Sequence, residues 1–199
     1  MKKDIIQKQT DIDSDALSNL ILKKEPEIIQ KYPTTGFNGE YTDGQTELGP
    51  NSLTSRFYHF NVLDWKDTDL VKEIIRSGYE AYTGVKDTPI YVKCWANVMR
   101  KGDQIAVHSH GKDPYGYISG HVCVQVTDTN TNYYNPYGGD PWSSPNKAGK
   151  ITLFPSWVSH GTDKVVDSQE RITIAFDILT EDGYNKIVKD DMKEHWVKV

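Results

Sequence analysis

Two cysteines in 199 residues, Cys94 and Cys123, cannot build a disulfide framework, and neither stands in the Cys-x-x-Cys spacing of a redox pair or a zinc site. A reducing, cytoplasmic compartment is therefore expected. No apolar stretch approaches the roughly 20 residues of a membrane span, and mean hydropathy is −0.63. The first residues, Met1 to Gln7, include two lysines but no apolar run, so no secretory signal is expected. There is no Lys/Arg cluster either. With 23 basic against 28 acidic residues the net charge is −5, which argues against a nucleic-acid partner held by bulk electrostatics. Hydrophobic residues reach only 37%, but 12 Tyr, 5 Trp and 5 Phe supply large buried areas. Internal repeats and low-complexity segments are absent.

The chain is long enough for one domain with a sizeable core, or one domain plus an extension. Residues 1–60 differ from the rest. Ser14 opens a helix as its cap, with Leu17, Leu20 and Ile21 on one face, and Pro26 ends or restarts it. Thr34 to Thr54, with four glycines and Pro50, reads as a long loop of the kind that forms a lid or a linker. The expectation is an N-terminal extension over 1–60, packed on the remainder or covering it, and a principal domain over 61–199, together forming one compact unit.

Asp67-Thr68 caps a second helix carrying Leu70, Val71, Ile74, Ile75 and Tyr79 at helical spacing, and Gly84 marks its exit. From Ile90 the period changes to two: Ile90, Val92, Cys94, Ala96 and Val98 alternate with Tyr91, Lys93, Trp95, Asn97 and Met99. Further strands are expected at 104–110, 121–127, 132–134, 150–154 and 171–179, separated by turn clusters such as Tyr137-Gly138-Gly139-Asp140-Pro141. Many short strands and few helices predict a mainly β protein, a sandwich or barrel with flanking helices. The charged segment Asp182 to Val199 reads as a terminal helix or a tail.

The chemistry concentrates in a few residues. His108-Ser109-His110 places two imidazoles on one face of an extended segment, where both can enter one pocket. Imidazole is a ligand for iron, zinc, copper and nickel; the plainer reading is two surface or hydrogen-bonded histidines. A second stretch, Gly149 to His160, runs from a turn through an apolar strand to a third histidine. Eleven residues on, Arg171 and Thr173 share one strand face while Ile172, Ile174 and Phe176 share the core face. A buried guanidinium needs an anionic partner. A small dicarboxylate would supply one, with Thr173 adding a hydroxyl donor.

Taken together, His-x-His, the Ser119-Gly120 pair about ten residues later, the Leu153-Phe154-Pro155-Ser156-Trp157 run leading to His160, and Arg171-Ile172-Thr173 resemble the iron(II)- and 2-oxoglutarate-dependent oxygenases. More narrowly, they look like the small members found often in marine bacteria and their phages. The resemblance covers about Trp95 to Asp177. It implies a double-stranded β-helix (jelly-roll, cupin-like) barrel holding one Fe(II) at its open end, with 2-oxoglutarate as co-substrate. It also implies that Arg171 and Thr173 bind the far carboxylate of 2-oxoglutarate, with Asn97 close to it. The implied reaction is hydroxylation of a C–H bond in a small-molecule or side-chain substrate, with release of succinate and CO2.

One position departs from the superfamily, which commonly carries a carboxylate where this chain has His110. Three readings stand: His108, His110 and His160 form a trihistidine site; Asp113 is the third ligand and His110 lies outside it; or the site is degraded and the protein only binds. Two rival functions follow, a cupin-like trihistidine dioxygenase that uses no 2-oxoglutarate and an inactive jelly-roll binding protein. His121 reads as a pocket-lining or core histidine, Cys94 and Cys123 as small buried hydrophobes, and Ser119-Gly120 as a tight strand entry. Tyr133 to Gly139 and Trp142 read either as a substrate loop or as rim packing, and His59 and His195 as surface or packing residues.

Overall fold

The computed structural model describes residues 4–34, 48–111 and 117–199. In chain order the elements are β1 (Ile6–Gln9), α1 (Ser14–Lys31), α2 (Asp69–Thr83), β2 (Ile90–Met99), β3 (Ile118–Gln125), β4 (Asn130–Tyr134), β5 (Trp142–Pro145), β6 (Lys150–Pro155), β7 (Ser159–Thr162), β8 (Arg171–Thr180), α3 (Glu181–Ile187) and β9 (Val197–Lys198). Among the described residues the strands form a six-stranded antiparallel sheet, ordered β1-β6-β3-β8-β2-β9, and a three-stranded one, β5-β4-β7. This is the mainly β architecture the sequence pattern predicts, and it fits the double-stranded β-helix (jelly roll) that the resemblance implies. None of the described helices is long and apolar enough to cross a membrane.

Helix α1 departs from expectation twice. Asp13, not Ser14, is its cap, accepting the Ala16 amide at 2.9 Å. It also continues past Pro26 to Lys31. Pro26 sits on the exposed side, where water can satisfy the carbonyl it cannot donate to. The opposite stripe, Leu17, Ile21 and Ile28, belongs to the same buried cluster as Ile90, Val92, Ile174 and Phe176 of the large sheet. Packing of that stripe overrides the local penalty of the proline. Glu25, buried on the same stripe, takes a two-pronged hydrogen bond from Arg100 at 3.0 and 2.6 Å.

Helix α2 matches its reading closely. Thr68 precedes it, and Gly84 closes it in the left-handed conformation at φ 74°. Val71, Ile74, Ile75 and Tyr79 are buried, whereas Leu70 lies off the stripe and is 43% exposed. Gly78 lets the helix approach β6: a Cβ there would stand 2.9 Å from Leu153 Cδ1.

The alternation in β2 is real, yet both of its faces are almost wholly buried. Ile90, Val92, Cys94, Ala96 and Val98 enter the main core beneath the helices, while Trp95 and Asn97 face the interior cavity. The expected strand over 104–110 is instead extended chain with a single bridge, His108 to His160. Strands β1, β5, β7 and β9 carry too few residues for an alternation to register in the sequence. The charged C-terminal segment folds as α3, a 3₁₀ turn over Asp190–His195, and β9, which pairs with Tyr91 and Val92 of β2.

Candidate metal centre

The cavity has a volume of about 560 Å³ and draws its walls from both sheets. Strand β8 supplies its floor through one pleat face, Arg171, Thr173, Ala175 and Asp177, while Thr131 of β4 and His160 and Thr162 of β7 come from the small sheet. Thr54, Phe57 and Tyr58, near the end of the N-terminal segment, complete the wall with Trp95 and Tyr117. The residues of the Gly-rich loop from 35 to 47, expected as a lid, lie outside the described residues, as does Asp113.

Backbone pairing brings the histidines together. The His108 amide donates to the His160 carbonyl at 2.9 Å, and the His160 amide returns a bond to His108 at 2.8 Å. The His110 amide donates to Ser156 at 2.9 Å. Gly161 permits this approach, since a Cβ there would meet the Ile105 carbonyl oxygen at 2.9 Å. One ring nitrogen from each of His108, His110 and His160 lies within 4.8 Å of the others.

The tautomers follow from the acceptors. His108 Nδ1 donates to the Ala106 carbonyl at 2.8 Å, and His160 Nδ1 to the Val158 carbonyl at 3.0 Å. His110 Nδ1 donates to Asp177 Oδ1 at 2.7 Å. All three Nε2 atoms are left for a ligand. Burial, with the neighbouring His110 second, pushes His108 down to about 4, and burial pushes His160 well below the usual histidine range. Both are neutral near pH 7, so both offer lone pairs. The Nε2 atoms of His108 and His110 stand 3.2 Å apart. Adjacent imidazoles on one metal ion sit about 3 Å apart when each bond is about 2.1 Å. The donor set is nitrogen-only and convergent, and it suits iron(II) or a neighbouring divalent transition metal.

The opposite end of the cavity suits an anion. Arg171 is only 2% exposed. Its Nη1 donates to Met99 Sδ at 3.0 Å and its Nη2 to Thr131 Oγ1 at 3.1 Å, with Asn146 Oδ1 at 3.5 Å. Its Nε has no partner among the described residues, and no carboxylate forms an ion pair with it there. Thr173 Oγ1 accepts from Asn97 Nδ2 at 3.3 Å, and Asn97 Oδ1 accepts from Thr54 Oγ1 at 2.6 Å. His121 also lines the wall without a hydrogen bond among the described residues; burial, reinforced by the Arg171 charge, pushes it down to about 3.

His108, His110, His160, Arg171, Thr173 and Asn97 thus share one cavity. Ser119 is buried and donates to Asp177 Oδ1 at 2.6 Å, and Gly120 lies under the Phe176 ring, which leaves no room for a side chain. Cys94 and Cys123 are buried free thiols. Tyr133 packs with Phe154 and Val158 away from the wall, stacked on Trp142, while Tyr137 is fully outside at 95% exposure. His59 and His195 line a separate cleft of about 300 Å³, where His59 stacks on Tyr32. The residue the sequence reading passed over is Asp177. Its signal was present, because the alternation that pairs Arg171 with Thr173 continues through Ala175 to Asp177.

Residues 129–177 match the model of a family described as "Putative 2OG-Fe(II) oxygenase". No curated protein matches the chain. Among solved structures, it is similar to a Pseudomonas putida prolyl-4-hydroxylase, at 12% identity and TM-score 0.56, covering 88% of this chain and 92% of that one. It is similar to a viral collagen prolyl hydroxylase from Paramecium bursaria Chlorella virus-1, crystallised with 2-oxoglutarate, at 16% identity and TM-score 0.57, covering 89% and 96%. It is similar also to a non-haem α-ketoglutarate-dependent carbocyclase of nogalamycin biosynthesis, at 10% identity and TM-score 0.63, covering 98% and 92%. These likenesses establish a shared fold. The family match covers about a quarter of the chain and falls on the stretch that carries His160, Arg171 and Thr173 into the cavity wall.

Proposed function

We propose that the protein hydroxylates a C–H bond of a small-molecule or side-chain substrate, using iron(II) at His108, His110 and His160 and 2-oxoglutarate seated on Arg171. The observation that carries this reading is the Arg171 guanidinium: buried and, among the described residues, without a carboxylate and with an unpartnered Nε, in the same cavity as three converging imidazoles. A buried cation without a counter-charge is costly, and a dicarboxylate entering the cavity provides one. A trihistidine dioxygenase without 2-oxoglutarate would leave Arg171 unexplained.

When bound, iron(II) and 2-oxoglutarate supply the oxidation, in which dioxygen and 2-oxoglutarate yield succinate, CO2 and one oxygen atom delivered to the substrate C–H bond. The protein supplies placement. The carbonyls of Ala106 and Val158 hold His108 and His160 in the tautomer that presents Nε2. Arg171 orients the distal carboxylate through its fixed donor fork. Asn97 acts on Thr173 rather than on the co-substrate: by donating to Thr173 Oγ1 it leaves the hydroxyl proton free for that carboxylate. Phe57, Tyr58, Trp95 and Tyr117 form the aromatic part of the wall, against which an apolar substrate portion can pack and exclude water.

We read residues 1–60 as part of this architecture, since α1 packs into the main core and Thr54, Phe57 and Tyr58 line the cavity. The two free, buried cysteines accord with a cytoplasmic setting.

Anaerobic titration with Fe(II) and 2-oxoglutarate tests the proposal. A weak visible charge-transfer band is expected, absent in Arg171→Ala, and His160→Ala is expected to lose iron. Iron uptake unchanged by substitution of each of the three histidines would overturn it.

A further inference from the structure

A trihistidine site has no anionic ligand, so the 2+ charge of its ion is not offset in the coordination sphere. Asp177 stands one hydrogen bond further out. Its Oδ1 accepts from His110 Nδ1 at 2.7 Å and from Ser119 Oγ at 2.6 Å, and its Oδ2 accepts from Tyr117 Oη at 2.8 Å. At 5% exposure it is deeply buried. No lysine or arginine pairs with it among the described residues. Lys93, its cross-strand neighbour on β2, instead donates from Nζ to the Phe60 carbonyl at 2.9 Å. Among the described residues this buried carboxylate lacks a fixed cationic partner. Beside it, among the described residues, lies the imidazole cluster that can hold a metal cation, which it reaches through His110.

Resting on the metal-site reading above, we propose that Asp177 is a positioning residue and the charge partner of the metal centre. It holds His110 with Nδ1 protonated and Nε2 aimed into the cluster. It also places one negative charge beside the ion, through an imidazole rather than by direct contact. The carboxylate that the wider superfamily uses as a ligand is here moved outward by one ring, and its place is taken by His110. Ser119 and Tyr117 belong to the device, because they fix the rotation of the Asp177 carboxylate and so fix which oxygen faces His110. Asp177→Asn separates the two roles, since an amide oxygen can still accept from His110 but carries no charge. Asp177→Ala removes both.

The test uses Co(II) and Zn(II) as probes on the full chain, without turnover. Expected are a roughly tenfold loss of Co(II) affinity in Asp177→Asn and a loss approaching a hundredfold in Asp177→Ala, the range for removal of a group that orients a metal ligand. In zinc-loaded protein labelled with 15N at histidine, the His110 Nδ1 proton signal should move in Asp177→Asn and disappear in Asp177→Ala. The Nδ1 signals of His108 and His160 should stay in place. A general packing defect would disturb all three. Should Asp177→Ala fail to fold, the near-isosteric Asp177→Asn still carries the test through both readouts. Co(II) affinity within twofold of the unsubstituted protein, with an unmoved His110 signal, would overturn this assignment and leave the metal site standing. Absence of Co(II) binding by the unsubstituted protein would overturn both.

Discussion

Arg171 Nη2 donates to Thr131 Oγ1 at 3.1 Å, so a guanidinium rooted in the large sheet is steadied by a hydroxyl of the small one. Nε of the same guanidinium has no partner among the described residues. Arg171→Lys keeps the charge but loses the fork and the cross-sheet bond. We expect the apparent Kd for 2-oxoglutarate to rise about ten- to a hundredfold, as loss of one or two charge-assisted hydrogen bonds at about 1.5–3 kcal/mol predicts, with Fe(II) affinity little changed. Calorimetric titration of each component separates the two effects. Equal weakening of both would place Arg171 in a general structural role.

Gly120 is the residue on which β3 passes under Phe176. An added Cβ would fall 2.5 Å from Phe176 Cζ and 2.5 Å from the Thr152 carbonyl oxygen. The oxygen belongs to the adjoining strand and cannot swing aside. Gly120→Ala should cost about 3 kcal/mol or more in urea unfolding, at the upper end of the range for overpacked cores. A cost below about 1 kcal/mol would mean that β3 can shift away from β6.

His121 makes stability sensitive to acid. Folding lowers it from the ordinary 6.5 to about 3 through burial and the Arg171 charge. The unfolded chain therefore takes up a proton near pH 6.5 that the folded chain refuses. Its contribution is complete above pH 6.5 and declines as pH falls from there toward 3, with a slope of up to about 1.4 kcal/mol per pH unit. Urea midpoints measured between pH 7 and pH 4.5 should fall less steeply in His121→Gln than in the unsubstituted protein. Parallel slopes would show that the ring is protonated within the fold.

The Glu25–Arg100 contact fixes α1 to the end of β2, and its two halves are unequal. Glu25 is buried, whereas Arg100 is half exposed. Arg100→Ala strands a buried carboxylate and should cost about 3 kcal/mol, while Glu25→Ala frees an arginine that water can solvate and should cost about 1 kcal/mol. Thermal unfolding of the two variants gives the ordering, and equal losses would indicate that Glu25 reaches solvent when unpaired.

Much of the site was legible because strand periodicity is a strong signal when a strand is long. The ten residues of β8 place Arg171 and Thr173 on the cavity face, and the same phase leads to Asp177. The histidines were legible as a candidate trihistidine set, but the route by which the chain brings them together was not. His108 and His110 sit on chain that forms one bridge rather than a strand, and their convergence depends on pairing with a segment fifty residues away. The path of α1 through Pro26 was hidden for a different reason. Local propensity reports the cost of a proline, while the gain from burying Leu17, Ile21 and Ile28 arises only once the sheet exists. Strand β1 was missed because only Ile5 and Ile6 carry any apolar signal in an otherwise polar edge segment.

The reciprocal main-chain bonds between His108 and His160 also bear on how the site fails. Two imidazoles are mounted on the same rung, so neither can drift from the cluster without parting both bonds at once. Loosening there is a single cooperative opening rather than gradual wear. A protein so built either presents the pair in register or releases both imidazoles together.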